Sequence, residues 1–368
     1  MMRVLHIVGA RPNFMKIAPI IAEMRKYPES FESVLVHTGQ HYDPKMSGVF
    51  FRDLELPAPD VFLGVGSGTH AEQTARVMLA LEPVILERCP DLVVIVGDVN
   101  STVAAALVCA KLCVPLAHVE AGLRSFDRTM PEEVNRIVTD QLSDLLFTTE
   151  EDANANLLRE GVAPAKIHFV GNVMIDSLVK ALPKIERSQA SERLGLERKG
   201  YALVTLHRPS NVDDPASLAT ILGALADIGG DLPVVFPVHP RTAQNIARAG
   251  LATTSGALRM VDPLPYVDFL HLCANARLVL TDSGGVQEET TYLGIPCLTL
   301  RPNTERPATV SLGTNRLIGL DRRSIETAAR AAMNGGVSEG RVPPLWDGRA
   351  AERIVTILQP SEARRSAA

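Results

Sequence analysis

The 368-residue sequence is poor in aromatic residues, and it has no long apolar run. Aromatic residues make up 4% and include a single tryptophan, Trp346, which disfavours a stacking platform for single-stranded nucleic acid. Charged residues are 21% and the net charge is −5, a balance that argues against a general nucleic-acid binder. The longest apolar stretches, such as 92–96, are strand-sized, whereas a membrane span needs roughly 20 residues. We therefore expect neither nucleic acid nor membrane as a partner.

Cysteine is also scarce: the five cysteines are odd in number and lie inside apolar segments. They lack the spacing of a zinc site, so we expect no bound metal. We interpret them as buried free thiols, which are typical of a cytoplasmic protein. The first residues, MMRVLHIVGARPNF, combine a short apolar run with no small-residue cleavage site, which predicts a β-strand rather than a signal peptide.

What the sequence does contain is an alternation of short apolar runs and amphipathic helices from end to end. Its length predicts two or three domains, and 46% hydrophobic residues are enough for full-sized cores. Because βαβ alternation implies a parallel sheet with helices on both faces, we predict an α/β fold of two doubly wound halves. We place the boundary after residue 172, giving domains 1–172 and 173–368. A final helix over about 349–360 is a candidate for packing back on the first domain.

Charged residues of the first half follow the ends of its strands, where open α/β sheets bind ligands. Arg11 and Lys16 follow the first strand, in and after GARPN. Asp98 follows the strand that ends in GDVNS, and Glu120 ends the strand in HVEAGLRS. Glu132 lies in the first turn of the helix that begins in MPEEVNR. Carboxylates placed in this way, beside two cations, can act as general acid and general base.

Each acidic residue also has a purely structural interpretation. Asp98 could cap the helix that follows it, and Glu120 could form an ion pair with Arg124. Glu132 and its neighbour Glu133 could interact with the dipole of their own helix. Their concentration at strand ends, beside basic residues, favours a common site.

Histidines of the second half occupy the same kind of position. His207 follows the first strand of that half in TLHRPSN, and His239 follows the next strand in FPVHPR. We interpret both as functional residues, and we interpret His6 and His168, which lie inside strands, as core residues.

A glycine-rich turn follows a later strand of the second half, in TDSGGVQEE. Ser283, Gly284 and Gly285 can direct backbone N–H groups at a phosphate with help from the helix dipole. Glu289, one turn further on, can accept hydrogen bonds from a ribose diol. The run GVGSGTH at 64–70 lacks the spacing of a dinucleotide or P-loop motif, so we interpret it as a flexible loop.

Together, GARPN, GDVNST, HVEAGLRS, MPEEVNR, HRPSN and TDSGGVQEE resemble the motifs of the non-hydrolysing UDP-N-acetylglucosamine 2-epimerases, from about residue 3 to about residue 320. The resemblance implies the glycosyltransferase-B fold, with two Rossmann-like domains facing across a cleft, and a homodimer without a cofactor. It also implies the isomerase reaction EC 5.1.3.14, which interconverts UDP-GlcNAc and UDP-ManNAc. In that reaction UDP is eliminated to leave a 2-acetamidoglucal and is then added back.

The resemblance assigns roles to individual residues. It makes Asp98, Glu120 and Glu132 the catalytic carboxylates and His207 the group that assists the departing UDP. To these we add His239, from its position at a strand end, as a substrate-binding residue. The other substrate-binding residues that the resemblance implies are Arg11, Lys16, Phe269, Ser283, Gly284, Gly285, Glu289 and Arg306.

Three segments depart from the family pattern. HRPSNVD stands where many bacterial members have HRRENxG, and GQHYDPKMS and GVGSGTHAEQT differ from members that bind a second UDP-GlcNAc as an activator. The departures bring the sequence closer to relatives that act on UDP-2,3-diacetamido-2,3-dideoxyglucuronate, which is the alternative substrate.

A glycosyltransferase of the same fold is a more remote alternative, which would need an acceptor groove and a membrane-facing helix. A nucleotide-sugar sensor is the alternative without catalysis. The presence of all three carboxylates and of His207 argues against a sensor.

Overall fold

A computed structural model describes residues 1–40, 54–251, 257–336 and 340–359 of the protein. The chain divides into two compact units, of which unit 1 is Met1–Lys180 with the chain from Pro344 onward and unit 2 is Ala181–Pro343. The sequence-based boundary at residue 172 lies a few residues before this division. The difference arises because one helix, Val173–Arg187, runs from unit 1 into unit 2.

Unit 1 contains a parallel sheet of seven strands in the order β3-β2-β1-β4-β5-β6-β7. The strands are β1 (Met2–Val8), β2 (Phe31–His37), β3 (Val61–Phe62), β4 (Leu92–Val96), β5 (Leu116–Ala121), β6 (Leu145–Thr148) and β7 (Ile167–Phe169). The first helices of unit 1 among the described residues are α1 (Arg11–Met24), α2 (His70–Arg88), α3 (Asn100–Leu112), α4 (Pro131–Leu142), α5 (Glu151–Arg159) and α6 (Val173–Arg187), with a 3₁₀ turn at Pro164–Lys166. Strand β4 is buried at every position, as expected of a central strand covered by helices on both faces.

Unit 2 contains a parallel sheet of six strands in the order β10-β9-β8-β11-β12-β13. The strands are β8 (Ala202–Thr205), β9 (Val234–Pro237), β10 (Leu258–Val261), β11 (Leu278–Thr281), β12 (Cys297–Thr299) and β13 (Asn315–Leu317). The helices are α7 (Ala190–Arg193), α8 (Pro209–Val212), α9 (Pro215–Gly229), α10 (Pro240–Arg248), α11 (Tyr266–Asn275), α12 (Gly284–Leu293), α13 (Pro307–Ser311) and α14 (Arg322–Met333). The two doubly wound α/β sheets confirm the predicted fold class.

The last helix, α15 (Ala350–Leu358), belongs to unit 1 and packs against α1. Asp176 of α6 accepts hydrogen bonds from the backbone N–H groups of Ala350 and Ala351, at 3.1 and 2.7 Å. Just before this helix, the indole N–H of Trp346 donates to the carbonyl of Thr149, at 2.9 Å. A buried tryptophan and a buried carboxylate therefore attach the end of the described chain to unit 1.

Two expectations about single residues were wrong. Cys89 and Cys113 are exposed, while the other three cysteines are buried as predicted. Each exposed cysteine directly follows a helix, at a C-cap position with a positive φ of +43° or +54°, rather than lying within the buried part of the helix. His6 is fully buried as predicted, but His168 lies in the edge strand β7 and is only partly buried.

Candidate active site

The strand order of unit 1 reverses beside β1, because β1 pairs with β2 on one side and with β4 on the other. Such a reversal opens a crevice at the carboxyl ends of the strands. The side chain of Asn13 connects the chain after β1 to the end of β4 by hydrogen bonds. Its side-chain oxygen accepts from the backbone N–H groups of Gly9 and Ala10, both at 3.0 Å, and its amide donates to the carbonyl of Val96 at 2.9 Å.

Lys16 and Glu120 form a buried ion pair near this crevice. The ammonium nitrogen of Lys16 lies 2.8 and 2.7 Å from the two carboxylate oxygens of Glu120, and the two residues are only 4% and 2% exposed. Glu120 has a φ of +73°, at the point where the register between β5 and β6 shifts. A left-handed backbone is costly for glutamate, and such strain is concentrated at functional sites. The predicted structural pair with Arg124 is not formed, because Arg124 binds other carboxylates.

Asp98 lies at the end of β4 and is held by α4. Its carboxylate is 2.5 Å from a guanidinium nitrogen of Arg136, and its carbonyl accepts from the side chain of Asn135 at 2.9 Å. The helix that follows is capped by Val99, so the interpretation of Asp98 as an N-cap is wrong. With one fifth of its side chain exposed, Asp98 is oriented by Arg136 and still accessible to a ligand.

Glu133 supports this arrangement from one turn below Arg136. Its carboxylate lies 2.5 Å from Arg136 and accepts from the N–H and hydroxyl of Ser125 and from the N–H of Phe126, each at 2.9 Å. Burial alone would raise the pKa of Glu133, but Arg136 and the hydrogen bonds from Ser125 hold it below its ordinary value. Glu133 is therefore a structural carboxylate that fixes the loop after β5.

Glu132 differs from its neighbour because it is only partly buried. Its carboxylate has no hydrogen bond or ion pair with any part of the chain that the structure describes. Among the described residues, this carboxylate therefore has no structural role through such a contact. The backbone of Arg11 begins α1 at the same edge of the sheet, but its side chain lies outside the described residues.

A buried histidine–aspartate pair beside these residues was missed from sequence. The ring of His118 lies between a carboxylate oxygen of Asp140, at 2.6 Å, and the carbonyl oxygen of Gly97, at 2.8 Å. Burial would raise the pKa of Asp140, but His118 and Arg124 hold it below its ordinary value. A signal was available: HVEAG places His118 two residues before Glu120, and Asp140 follows Glu133 at the helical spacing i+7.

The strand order of unit 2 reverses in the same way beside β8, which pairs with β9 and β11. His207 follows β8 and Asp282 follows β11, and the ring Nδ1 of His207 lies 2.9 Å from the carboxylate of Asp282. Asp282 is buried and also accepts from the N–H groups of His207 and Arg208 and from the side chain of Asn211. Despite burial, these donors lower the pKa of Asp282 below its ordinary value.

The side chain of His207 is itself 56% exposed. Its Nε2 has no partner among the described residues and can face a ligand. Asp282 lies within the TDSGG motif, but its pairing with His207 was not predicted from sequence.

The glycine-rich turn forms the start of α12. Ser283 is the N-cap residue, and its side chain makes no capping hydrogen bond. A Cβ atom on Gly284 would lie 2.4 Å from the side chain of Arg306 and 2.7 Å from that of Glu305, so a larger residue would displace these two side chains. The backbone N–H groups of Gly284 and Gly285 belong to the first turn of the helix, where N–H groups lack partners within the helix and suit a phosphate.

Arg306 lies in a buried cluster of charges beneath this turn. Its guanidinium contacts Glu305 and lies 2.8 Å from Glu288, and Arg301 lies 2.7 Å from Glu305. Burial would raise the pKa of Glu305, but Arg306 and Arg301 hold it well below its ordinary range. Arg306 is therefore held rigidly beside Gly284, the residue predicted to contact phosphate.

The remaining predicted residues of unit 2 are Glu289, Phe269 and His239. Glu289 is buried and accepts a hydrogen bond from the hydroxyl of Tyr266 at 3.0 Å. Phe269 of α11 is partly buried against the same apolar cluster as Val286 of α12. His239 is exposed and caps α10.

Over the described ranges, no three histidine, cysteine or acidic side chains are arranged to hold a metal ion. Over those same ranges, no helix has both the length and the apolar character to cross a membrane.

A profile of the family described as UDP-N-acetylglucosamine 2-epimerase matches residues 22–359. The UDP-N-acetylglucosamine 2-epimerase of Methanocaldococcus jannaschii is 41% identical over 365 residues, covering 97% of this chain and 99% of that protein. The UDP-2,3-diacetamido-2,3-dideoxy-D-glucuronate 2-epimerase of Pseudomonas aeruginosa is 42% identical over 362 residues, covering 97% and 99%. The crystal structure of the M. jannaschii enzyme in complex with UDP-GlcNAc and UDP aligns with a TM-score of 0.89, at 41% identity, over 97% of this chain and 99% of that chain.

Proposed function

This chain belongs to the UDP-N-acetylglucosamine 2-epimerase family, and we propose that it interconverts UDP-GlcNAc and UDP-ManNAc without hydrolysing them. In the forward direction a base takes the proton from C2 while the C1–O bond breaks. The electron pair of the C1–O bond leaves with UDP. The electron pair of the C2–H bond forms a C1–C2 double bond, and the product is 2-acetamidoglucal. A proton then adds to the opposite face of C2, and a phosphate oxygen of UDP attacks C1.

The reaction requires acid and base groups that reach both faces of the sugar. We assign this role to Asp98, Glu120 and Glu132 of unit 1. The observation that carries the assignment is the strained, buried Glu120, which is paired with Lys16 at the end of a strand. A carboxylate kept in this state is typical of a catalytic group, because strain and buried charge both cost stability.

The reaction also requires donors for the charge that develops on the departing diphosphate. We assign this role to unit 2, where His207 is held by Asp282 and presents its other ring nitrogen. The first turn of α12, with Gly284 and Gly285, supplies backbone N–H groups beside the buried Arg306. We expect His239, Phe269 and Glu289 to contact the nucleoside.

One experiment separates the epimerase from a glycosyltransferase or a sensor. The protein is incubated with UDP-GlcNAc alone in deuterium oxide and followed by NMR. An epimerase incorporates deuterium at C2 and forms UDP-ManNAc, since the C2 proton is lost to a base and replaced from solvent. Retention of the C2 proton would show that the protein is not an epimerase of this substrate.

UDP-2,3-diacetamido-2,3-dideoxyglucuronate is a second candidate substrate. The P. aeruginosa epimerase named for it is as similar to this chain as the M. jannaschii enzyme. The same exchange assay with UDP-2,3-diacetamido-2,3-dideoxyglucuronate decides between them by kcat/KM. We also propose a cytoplasmic homodimer, which light scattering and cell fractionation test.

A further inference from the structure

We propose that His118 is a positioning residue for this reaction, which holds the turn that carries Asp98; the inference rests on the proposed function. Among the described residues, the His118 ring has no hydrogen bond or ion pair with the carboxylates that we assign to acid–base chemistry. It acts instead through the backbone of Gly97, the residue before Asp98.

The His118 ring is completely buried and lies between two acceptors. Its Nδ1 is 2.6 Å from Asp140 and its Nε2 is 2.8 Å from the carbonyl oxygen of Gly97. Because carboxylate and carbonyl oxygens only accept, both contacts are hydrogen bonds only when both ring nitrogens carry a proton. Asp140 is itself anchored, since it accepts from the N–H of Gly122 at 3.0 Å and lies 2.7 Å from Arg124.

Gly97 connects His118 to the catalytic residues. It is buried and has a φ of +68°, and a Cβ atom at this position would lie 2.8 Å from the ammonium nitrogen of Lys16. Lys16 in turn pairs with Glu120. A rotation of the peptide after Gly97 would therefore displace the backbone of Asp98 and change the packing of Lys16.

The carbonyl groups on either side of Gly97 are held by other residues. Asn13 donates to the carbonyl of Val96 and Asn135 donates to the carbonyl of Asp98, both at 2.9 Å. His118 supplies the middle contact of this series. Without His118 the buried carbonyl of Gly97 loses its hydrogen-bond donor. An unsatisfied buried carbonyl costs free energy, which favours rotation of the turn.

The chain offers a matched control in His6. This histidine is also completely buried, in the adjacent part of the same sheet, but its one hydrogen-bond contact among the described residues is with the hydroxyl of Ser33, at 3.3 Å. Burial lowers the pKa of His6 to about 3, so this ring is neutral. Replacing His6 makes the same chemical change in the core without touching the Gly97 turn.

The test compares His118→Asn, His118→Gln and His6→Gln in the full-length protein. An asparagine amide lies near the position of ring Nδ1, and a glutamine amide lies near the position of Nε2. His118→Gln can therefore still donate to Gly97, whereas His118→Asn can donate only to Asp140. Initial rates of C2 exchange yield kcat and KM, and thermal unfolding measures folding.

We expect His118→Asn to lower kcat about 10²-fold with KM unchanged, which is the loss typical of a catalytic group displaced by about 1 Å. His118→Gln should recover most of the lost kcat, and His6→Gln should match the wild type. Two results would overturn the inference: activity of both His118 variants equal to that of His6→Gln, or equal losses of kcat in both His118 variants. The second would indicate a general packing role.

If the wild-type protein does not exchange the C2 proton, the proposed function is wrong, and this inference fails with it. If neither His118 variant folds, NMR of wild-type protein labelled with ¹⁵N-histidine decides. The Nε2 of His118 should carry a proton that exchanges slowly, because it donates to the buried carbonyl of Gly97. A bare Nε2 would mean that this contact is absent, and the inference would fail.

Discussion

At the scale of single residues, the three proposed catalytic carboxylates differ in how the protein holds them. Glu120 is buried against Lys16, Asp98 is partly exposed against Arg136, and Glu132 has no partner among the described residues. The first two therefore support the fold in addition to the catalytic role that we propose for them. Glu132 makes no hydrogen bond or ion pair with the described residues that would stabilise the fold.

We predict that Asp98→Asn, Glu120→Gln and Glu132→Gln each lower kcat by about 10²–10⁴, the usual contribution of general acid–base catalysis. Stability should separate them. Glu120→Gln leaves Lys16 buried without a counter-charge and should cost about 3–5 kcal/mol, whereas Glu132→Gln should change stability by less than about 0.5 kcal/mol. C2-exchange kinetics and urea unfolding measure the two effects.

The matched control is Glu151→Gln, an exposed glutamate in the first turn of α5. It should leave kcat and stability unchanged. Near-full turnover in all three carboxylate variants would show that the assignment of the site is wrong.

His207 poses a different question, because its exposed ring is oriented by the buried Asp282. We predict that His207→Asn lowers kcat more than it raises KM, since an amide keeps the contact with Asp282 but loses the ring nitrogen that we propose faces the departing diphosphate. Steady-state kinetics with UDP-GlcNAc checks this. An increase in KM with kcat intact would reduce His207 to a passive contact.

At the scale of elements, α15 depends on Asp176. Burial raises the pKa of Asp176 to about 6, although the N–H groups of Ala351 and Ala350 oppose the shift. A pKa above the ordinary value of 3.8 means that the protonated carboxyl favours the folded state. The stabilisation of the folded state by protonated Asp176 is complete below pH 3.8 and is lost as the pH rises through 6. The total loss of stability is about 3 kcal/mol, at 1.36 kcal/mol per pKa unit.

We therefore predict that the free energy of opening α15 decreases between pH 4 and pH 7 in the wild type and not in Asp176→Asn, which cannot ionise. Hydrogen exchange of 350–358, corrected for intrinsic rates, measures it. Asp321→Asn is the control, because Asp321 caps α14 in unit 2 and Ser324 lowers its pKa instead. The same pH dependence in Asp176→Asn as in the wild type would contradict the prediction.

At the scale of the whole molecule, the departures from the family pattern are divided between the units. Gln73, in GVGSGTHAEQT, donates to the carbonyls of Gln40 and Gly66, so two of the departing segments contact each other in unit 1. The rest of GQHYDPKMS, within 41–53, lies outside the described residues. HRPSNVD lies in unit 2 and lacks the Arg-Glu pair that many bacterial members have.

From these departures we predict that the protein does not need UDP-GlcNAc as an activator. An activator site for a diphosphate sugar needs several charge-assisted contacts, and a lost arginine removes a bidentate pair that proline or lysine does not replace. Pure UDP-ManNAc should react without a lag, and the rate should depend hyperbolically on its concentration. A sigmoidal curve that added UDP-GlcNAc abolishes would show that a second site exists.

Sequence alone determined the fold class and nearly every long element, because the runs are apolar on both faces and the helices begin and end at clear signals. Pro131 at the start of α4 is one such signal. The short elements β3, β13, α7, α8 and α13 were not predicted, because they are two to five residues long and too short for a hydrophobic period to appear. Sequence also placed Asp98, Glu120 and His207 at strand ends.

Tertiary structure alone decided which charges pair. Arg124 is four residues from Glu120 in sequence, yet it binds Asp140 and Glu160, while Glu120 binds the distant Lys16. The left-handed backbone of Glu120 and the contact of His118 with Gly97 could not be predicted from sequence either. Local sequence determines propensity and period, but a buried ion pair forms where separate strands and helices bring side chains within about 3 Å, and that distance depends on the packing of the whole unit.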